Sequence, residues 1–116
     1  MIKINLIEYF DNTVDLCPDK LAIVDGSSEL TFSELKHKAK HVATQISKKN
    51  NVINRPVAIY LPKTNDAIVS LIATLYSGNC YAPLDTKNPL PRIESILKAL
   101  DPSCIITNNQ FLKNIK

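Results

Sequence analysis

The chain has 116 residues, of which 45% are hydrophobic and 22% charged, a composition that suits one folded domain with a single core. Its formal charge of +3 is scattered along the sequence, without the interleaved aromatic residues of a nucleic-acid surface. No apolar stretch reaches the roughly 18 residues of a membrane span, and Glu8 and Asp11 interrupt what would be a secretory signal. We therefore expect a cytoplasmic protein that binds neither nucleic acid nor membrane.

Three cysteines, Cys17, Cys80 and Cys104, are odd in number and far apart in the sequence. Each lies in apolar or strand-like sequence. This usage is typical of reduced, buried thiols in the cytoplasm, and it does not suit a disulfide framework or a zinc site.

The first predicted helix begins near Asn5 and ends at Pro18, which cannot continue a helix. Asn5 and Glu8 have the spacing of a capping pair. Spacings of three and four residues define one apolar face, made by Ile7, Phe10, Val14 and Cys17.

A short hairpin is predicted next, from the strands LAIV (21–24) and ELTF (29–32) around the turn DGSS. The second helix then begins with a capping box, in which Thr31 is the N-cap and Glu34 the third helical residue. Leu30 and Leu35 are placed for the hydrophobic staple. One stripe of this helix is apolar (Leu35, Ala39, Val42, Ala43, Ile46), and the opposite face is polar (His37, His41, Thr44, Lys48).

Two apolar strands enclose the next predicted helix. VAIYL (57–61) has the composition of a buried strand. Residues 65–77 are apolar almost all round, so that helix should be covered on more than one side. Gly78 is placed to end it in the left-handed conformation. NCYAPL (79–84) is the second strand, and Pro83 is tolerable at its end or at a sheet edge.

Pro91 suits the first position of a further helix, and Asp101-Pro102 ends it. Its apolar stripe consists of Ile93, Ile96, Leu97 and Leu100. SCIIT (103–107) is a third strand, and a new amphipathic pattern begins near Phe111. Alternating helices and apolar strands predict an α/β fold: a layered, largely parallel sheet flanked by helices, plus a short N-terminal hairpin.

Candidate metal and phosphate sites are weak in this sequence. His37 and His41 stand at i and i+4, a spacing that could hold a metal, but no third ligand has suitable spacing. A solvated helix face is the favoured interpretation. The chain has only two glycines, Gly26 and Gly78, so it cannot build a glycine-rich phosphate loop. We expect no catalytic, cofactor-binding or metal-binding residue in this chain.

Asp85 follows a predicted buried strand, where α/β proteins often place functional groups. The alternative is structural, because an Asp beside Thr86 and Asn88 can accept backbone N–H bonds in a turn or help seat the next helix. Arg92 is a possible ion-pair partner. No second titratable group lies nearby in sequence, so the structural role is favoured.

Several segments resemble, in order, the adenylate-forming (AMP-binding) ligases. LTFSELKHKAKHVATQI resembles the first signature of the family, and VAIYLPKTNDAIVSLIATLYSGNCYAPLDTKNPLPRIESIL resembles the second. LCPDKLAIVD resembles the stretch before the first signature. "PLD", with a tyrosine two residues before the proline, looks most like the amino-acid adenylation domains of nonribosomal peptide synthetases or D-alanyl carrier protein ligases. The matching positions form scaffold: Thr31, Glu34, Gly78, Tyr81, Pro83, Asp85 and Arg92.

The resemblance implies that residues 1–116 form a single N-terminal subdomain of an adenylation domain. An intact enzyme of this family uses ATP and magnesium to convert a carboxylate to an acyl-adenylate, then passes the acyl group to the thiol of a carrier protein or CoA. The phosphate-gripping loop and catalytic lysine of the family have no match here. The expected partner is therefore the remainder of the adenylation domain, and the isolated chain should be inactive.

Two alternatives remain open. The chain could be a fragment of an acyl-CoA synthetase. It could also be a stand-alone α/β protein-interaction module, or form a homodimer, through apolar surface that no other part of the chain covers.

Overall fold

The computed structural model describes residues 6–26, 28–49 and 53–115. The helices are α1 (Leu6–Leu16), α2 (Phe32–Lys49), α3 (Asn65–Tyr76), α4 (Leu90–Leu100) and α5 (Asn109–Leu112). The strands are β1 (Leu21–Asp25), β2 (Ser28–Thr31), β3 (Pro56–Tyr60), β4 (Cys80–Pro83) and β5 (Cys104–Thr107). No helix in these ranges is long and apolar enough to cross a membrane.

The strands form two sheets. β1 and β2 make the predicted antiparallel hairpin. The other three strands form a parallel sheet in the order β4-β3-β5. The predicted α/β architecture is therefore confirmed. Pro83 ends the edge strand β4, where its missing N–H costs no ladder hydrogen bond.

The parallel sheet is covered on both faces, which is why its central strand is so apolar. Residues 57–60 of β3 are at most 2% exposed. On one face, Val57 packs with α2 and α3 through Ala39, Ala43, Ile46 and Ala73. On the other face, Ala58 and Tyr60 pack with Leu84 and with Ile93 of α4. A third apolar cluster joins the hairpin to α2 and α3.

The predicted helix ends are largely confirmed. The Thr31 N–H donates to Glu34 Oε1 at 2.9 Å, and the Glu34 N–H donates to Thr31 Oγ1 at 3.2 Å, so the capping box is present. Gly78 follows α3 with φ +81°. α4 begins one residue earlier than predicted, with Pro89 as N-cap and Pro91 at the second position. Asn5, the predicted partner of Glu8, lies outside the described residues.

The prediction of three buried cysteines is wrong for two of them. Cys17 and Cys80 are exposed, and Cys104 is half-buried. Cys17 follows the last turn of α1, and Cys80 begins an edge strand, so apolar neighbours in sequence do not place either thiol in a core. Burial raises the pKa of the Cys104 thiol, against smaller lowering effects from Ser103 and Lys49.

Two packing predictions need refinement. Within α4, Ile93 is the fully buried residue, whereas Leu97 packs against the same cluster but stays half-buried. α3 is covered by α2, the hairpin and the sheet, yet Ile68 remains 38% exposed. The reason is that the side of α3 near its N-terminus faces a cavity.

Candidate functional site

A cavity of about 700 Å³ opens at the carboxyl ends of β3 and β4. We call it the carboxyl-edge cavity. Its walls come from the end of β1, the loop after β3, the first half of α3 and the loop after β4. They comprise residues 23–25, 59, 61–65, 67–68, 71 and 83–87. Most of this lining is apolar, as is usual for binding cavities.

The chain connections explain why the cavity lies beside β3 and β4. In parallel α/β sheets, a crevice forms where successive connections pass to opposite faces. Here that point lies between β3 and β5, because α3 covers one face and α4 the other. It is closed by Thr107 Oγ1, which donates to the Tyr60 carbonyl at 2.8 Å, and by Phe111, whose ring centroid lies 5.3 Å from that of Tyr60. The open space is displaced to the β3–β4 side.

The N-terminus of α3 forms one wall of the cavity, and a residue of the hairpin caps it. The N-cap Thr64 makes no side-chain cap hydrogen bond. Instead, Asp25 Oδ2 accepts the Asn65 N–H at 3.2 Å, which places a carboxylate at the positive end of the helix dipole. Asn65 Nδ2 also donates to Ser28 Oγ at 2.6 Å. Asn65 Oδ1 is buried and has no hydrogen-bond partner within the described ranges.

Asp85 shapes the opposite wall of the cavity. Its Oδ1 accepts the Lys87 N–H at 2.9 Å, and its carbonyl accepts the Asn88 N–H at 3.1 Å. The predicted turn role is confirmed. Its side chain does not cap α4, whose N-cap is Pro89, and Asp85 and Arg92, both described residues, form no ion pair with each other. The loop after β4 is thus closed on itself.

The chemistry available in the cavity favours binding over catalysis. Its lining includes the charged residues Asp25, Lys63, Asp85 and Lys87, and hydroxyl groups from Thr64 and Thr86. No histidine or cysteine is among the lining residues, and both carboxylates already accept backbone N–H bonds. The cavity therefore lacks a free general base beside a nucleophile, which acyl or phosphoryl transfer by this chain's own residues would need.

His37 and His41 lie elsewhere, beside a smaller cavity of about 390 Å³ between α2 and α3. Both are exposed on α2, as the polar stripe predicts. Asp66 and Lys38 line the same cavity. No group of three or more metal-ligating side chains occurs in the described part of the chain.

The seven residues singled out as scaffold do not form one site. Pro83 and Asp85 line the carboxyl-edge cavity, whereas Thr31 and Glu34 begin α2. Tyr81 is 41% exposed on β4. Gly78 follows α3, and Arg92 lies in the first turn of α4.

Sequence reasoning missed Asp25 and Asn65. Thr64 has the residue type of a normal N-cap, and Asp25 lies in a sequence typical of a turn. The hydrogen bond between them spans 40 residues. Only the packing of the hairpin on α3 brings the carboxylate to the helix terminus.

Comparison with known proteins places this fold in a family. The family model described as "AMP-binding enzyme" matches residues 10–116. The chain belongs to the AMP-binding enzyme family. The match covers both of the signatures recognised in the sequence, and the chain corresponds to an N-terminal portion of an adenylate-forming ligase.

The similar relatives are much longer proteins. The chain is 34% identical over 110 residues to the dimodular nonribosomal peptide synthase of Bacillus subtilis, covering 95% of this chain and 5% of the relative. It is 32% identical over 102 residues to the beauvericin nonribosomal cyclodepsipeptide synthetase of Gibberella fujikuroi, covering 88% of this chain and 3% of the relative. The matched region of these AMP-binding enzymes is thus a small part of each protein.

A solved structure supports the same architecture. The crystal structure of the nonribosomal peptide synthetase FmoA3, in its alpha-methyl-L-serine-AMP bound form, matches with a TM-score of 0.90. The match covers 97% of this chain and 13% of that chain, at 20% sequence identity. At this identity the comparison establishes the fold of this AMP-binding enzyme portion.

Proposed function

We propose that this chain is the N-terminal scaffold of an ATP-dependent adenylating ligase, with residues 1–116 acting as a single subdomain. The intact cytoplasmic enzyme would activate a carboxylate as an acyl-adenylate and transfer the acyl group to the thiol of a carrier protein. The family match over residues 10–116, on a sheet with the matching architecture, carries this proposal.

An amino acid is the proposed class of carboxylate. The relatives described above are peptide and depsipeptide synthetases, and residues 81–85 read YAPLD, the form that resembles amino-acid adenylation domains. This favours an amino-acid-activating enzyme over an acyl-CoA synthetase.

ATP and magnesium are the expected cofactors of the intact enzyme, but this chain's residues do not fit them. Both glycines have structural positions: Gly26 lies in the hairpin turn, and Gly78 follows α3. No glycine-rich loop exists to hold phosphates, and the lining carboxylates are engaged with backbone N–H groups. The chain's own contribution is therefore positional: it supplies a covered parallel sheet on which other segments of the enzyme would pack.

ATP–pyrophosphate exchange tests this proposal. The isolated chain should give no turnover above blank with any of the common amino acids, and titration calorimetry should detect no binding of ATP–magnesium or AMP. A chimera in which this chain replaces the matched region of the Bacillus subtilis synthase should catalyse exchange with the amino acid of the host domain. Exchange by the isolated chain, or a folded chimera without activity, would contradict the proposal.

A further inference from the structure

The wall of the carboxyl-edge cavity is apolar and open. Val24 is 62% exposed and Ile68 is 38% exposed, and both line the cavity together with Leu61 and Leu71. Contiguous apolar surface of this kind marks interaction sites in folded proteins. Within the described residues, no other part of the chain covers these side chains.

The charges around the cavity are unequally engaged. Asp25 and Asp85 both accept backbone N–H bonds. The ammonium groups of Lys63 and Lys87 have no ion-pair partner in the described ranges. The carboxylates are thus committed to holding α3 and the loop after β4, and the two lysines remain to attract an anionic group. A complementary occupant combines an apolar side chain with a nearby carboxylate.

We infer that the carboxyl-edge cavity is the docking site of a polypeptide segment from the remainder of the ligase, one that inserts an apolar side chain beside Ile68 and places a carboxylate near Lys63 and Lys87. The inference rests on the proposed function. The chain corresponds to 5% or less of its relatives' length and to 13% of the matching structure, so an enzyme of this kind has much further polypeptide available to cover the cavity.

A second copy of this chain fits the cavity less well. A twofold dimer brings the same surface of both copies together. The lysines of the two cavities would then face each other across the interface, and like charges in contact oppose association. The chain's formal charge of +3 adds to this repulsion.

Peptide binding to the full 116-residue chain tests the inference. The probes are overlapping 15-residue peptides that cover the adenylation domain of the Bacillus subtilis synthase beyond the matched region. Titration followed by amide NMR shifts should find a peptide with apolar and acidic residues that perturbs residues 61–65 and 84–87. Its affinity should fall as salt is raised from 50 to 500 mM, because screening weakens the lysine contribution.

Matched variants identify the surface. Ile68→Asp should raise the Kd of that peptide at least tenfold, since it places a charge in the apolar wall. The double charge reversal Lys63→Glu and Lys87→Glu should do the same. Leu6→Asp, which changes an exposed apolar residue of α1 outside the cavity, should leave the Kd unchanged. Circular dichroism checks that each variant is folded.

Several results would overturn the inference. They are the absence of any binding peptide at millimolar concentration, binding that Ile68→Asp does not affect, displacement of the peptide by AMP or a free amino acid, and self-association of the chain through this cavity. Failure of the proposed function gives a different pattern, in which the chimera is folded but inactive while a peptide still binds at the cavity.

Discussion

At the scale of single residues, two helix starts in this protein are capped in different ways. α2 is capped by its own sequence, through reciprocal hydrogen bonds between Thr31 and Glu34. The backbone hydrogen bond from Thr31 lowers the pKa of the Glu34 carboxyl, and the Thr31 side chain and the charge of Lys38 act in the same direction. α3 is capped by Asp25, which lies in another element. The first cap can be read from four residues, but the second requires the folded structure.

Ile93 should be the most sensitive position of α4. It is fully buried against Ala58, Tyr60 and Leu84, so Ile93→Ala should lower the free energy of unfolding by about 2–5 kcal/mol. Leu97→Ala should cost less because that side chain is half-buried. Urea denaturation measures both. His41→Ala, a change on the exposed face of α2, is the control and should stay within about 0.5 kcal/mol. A larger loss for His41→Ala than for Ile93→Ala would mean that the helix faces are wrong.

Residue burial was only partly predictable from the sequence. The stripe of α2 is confirmed, because a period of 3.6 residues identifies the face that a long helix turns to the core. The burial of Cys17 and Cys80 was predicted wrongly, because the apolar character of a short stretch does not reveal a helix end or a sheet edge. At Asp85, local turn chemistry gave the right role, since its partners are two and three residues away.

At the scale of elements, a polar contact fixes α1 to the rest of the molecule. The Tyr76 hydroxyl, at the end of α3, donates to Asp11 of α1. Lys36 Nζ lies 3.3 Å from the same carboxylate oxygen, and Lys40 lies over the Tyr76 ring at 5.6 Å. Partial burial alone would raise the pKa of Asp11, but the Tyr76 and Lys36 hydrogen bonds and the lysine charges outweigh it and lower the pKa. Burial and the Asp11 contact raise the pKa of Tyr76.

Tyr76→Phe should therefore destabilise the protein in a pH-dependent way. At pH 7 the loss should be about 1.5 kcal/mol, the lower end for a hydrogen bond to a charged group, because the site is partly exposed. The folded pKa of Asp11 lies below its ordinary value of 3.8, so the stabilisation is present above pH 3.8 and is lost as the pH falls further. The folded pKa of Tyr76 lies above its ordinary value of 10.0, so the stabilisation also declines above pH 10.0.

Thermal or urea unfolding across this pH range measures the difference between the Tyr76→Phe variant and the unmodified chain. Tyr9→Phe is the matched control: Tyr9 lies on the same helix α1 as Asp11 but is 56% exposed. It should change stability little at any pH. A difference for Tyr76→Phe that stays constant from pH 2.5 to pH 11 would contradict the assigned contact.

Most elements were predictable from local signals, and their spatial arrangement was predictable in part. Pro18, Gly78 and Asp101-Pro102 mark helix ends that the structure confirms within one or two residues. The parallel pairing follows from strands too apolar to face water. The carboxyl-edge cavity was not predictable, because its walls combine residues 23–25, 61–68 and 83–87, which no local pattern relates to one another.

At the scale of the whole molecule, the protein is closed on the faces of its sheet and open at one end. α2 and α3 cover one face, and α4 and α5 cover the other. The crevice between β3 and β5 is filled by Phe111 and Thr107. At the carboxyl ends of β3 and β4, the apolar wall stays accessible. This asymmetry is expected of a scaffold that other segments complete.

The open end should make the native chain bind an apolar dye without loss of its fixed tertiary structure. We expect 8-anilinonaphthalene-1-sulfonate to fluoresce with the native chain, because its rings suit the apolar wall and its sulfonate suits Lys63 and Lys87. Near-ultraviolet circular dichroism should show a tyrosine signal that is lost on denaturation, which distinguishes this binding from that of a molten globule. Ile68→Asp should reduce the fluorescence severalfold while leaving that signal intact, and Leu6→Asp should change neither. Equal fluorescence from the two variants would place the accessible apolar surface elsewhere on the molecule.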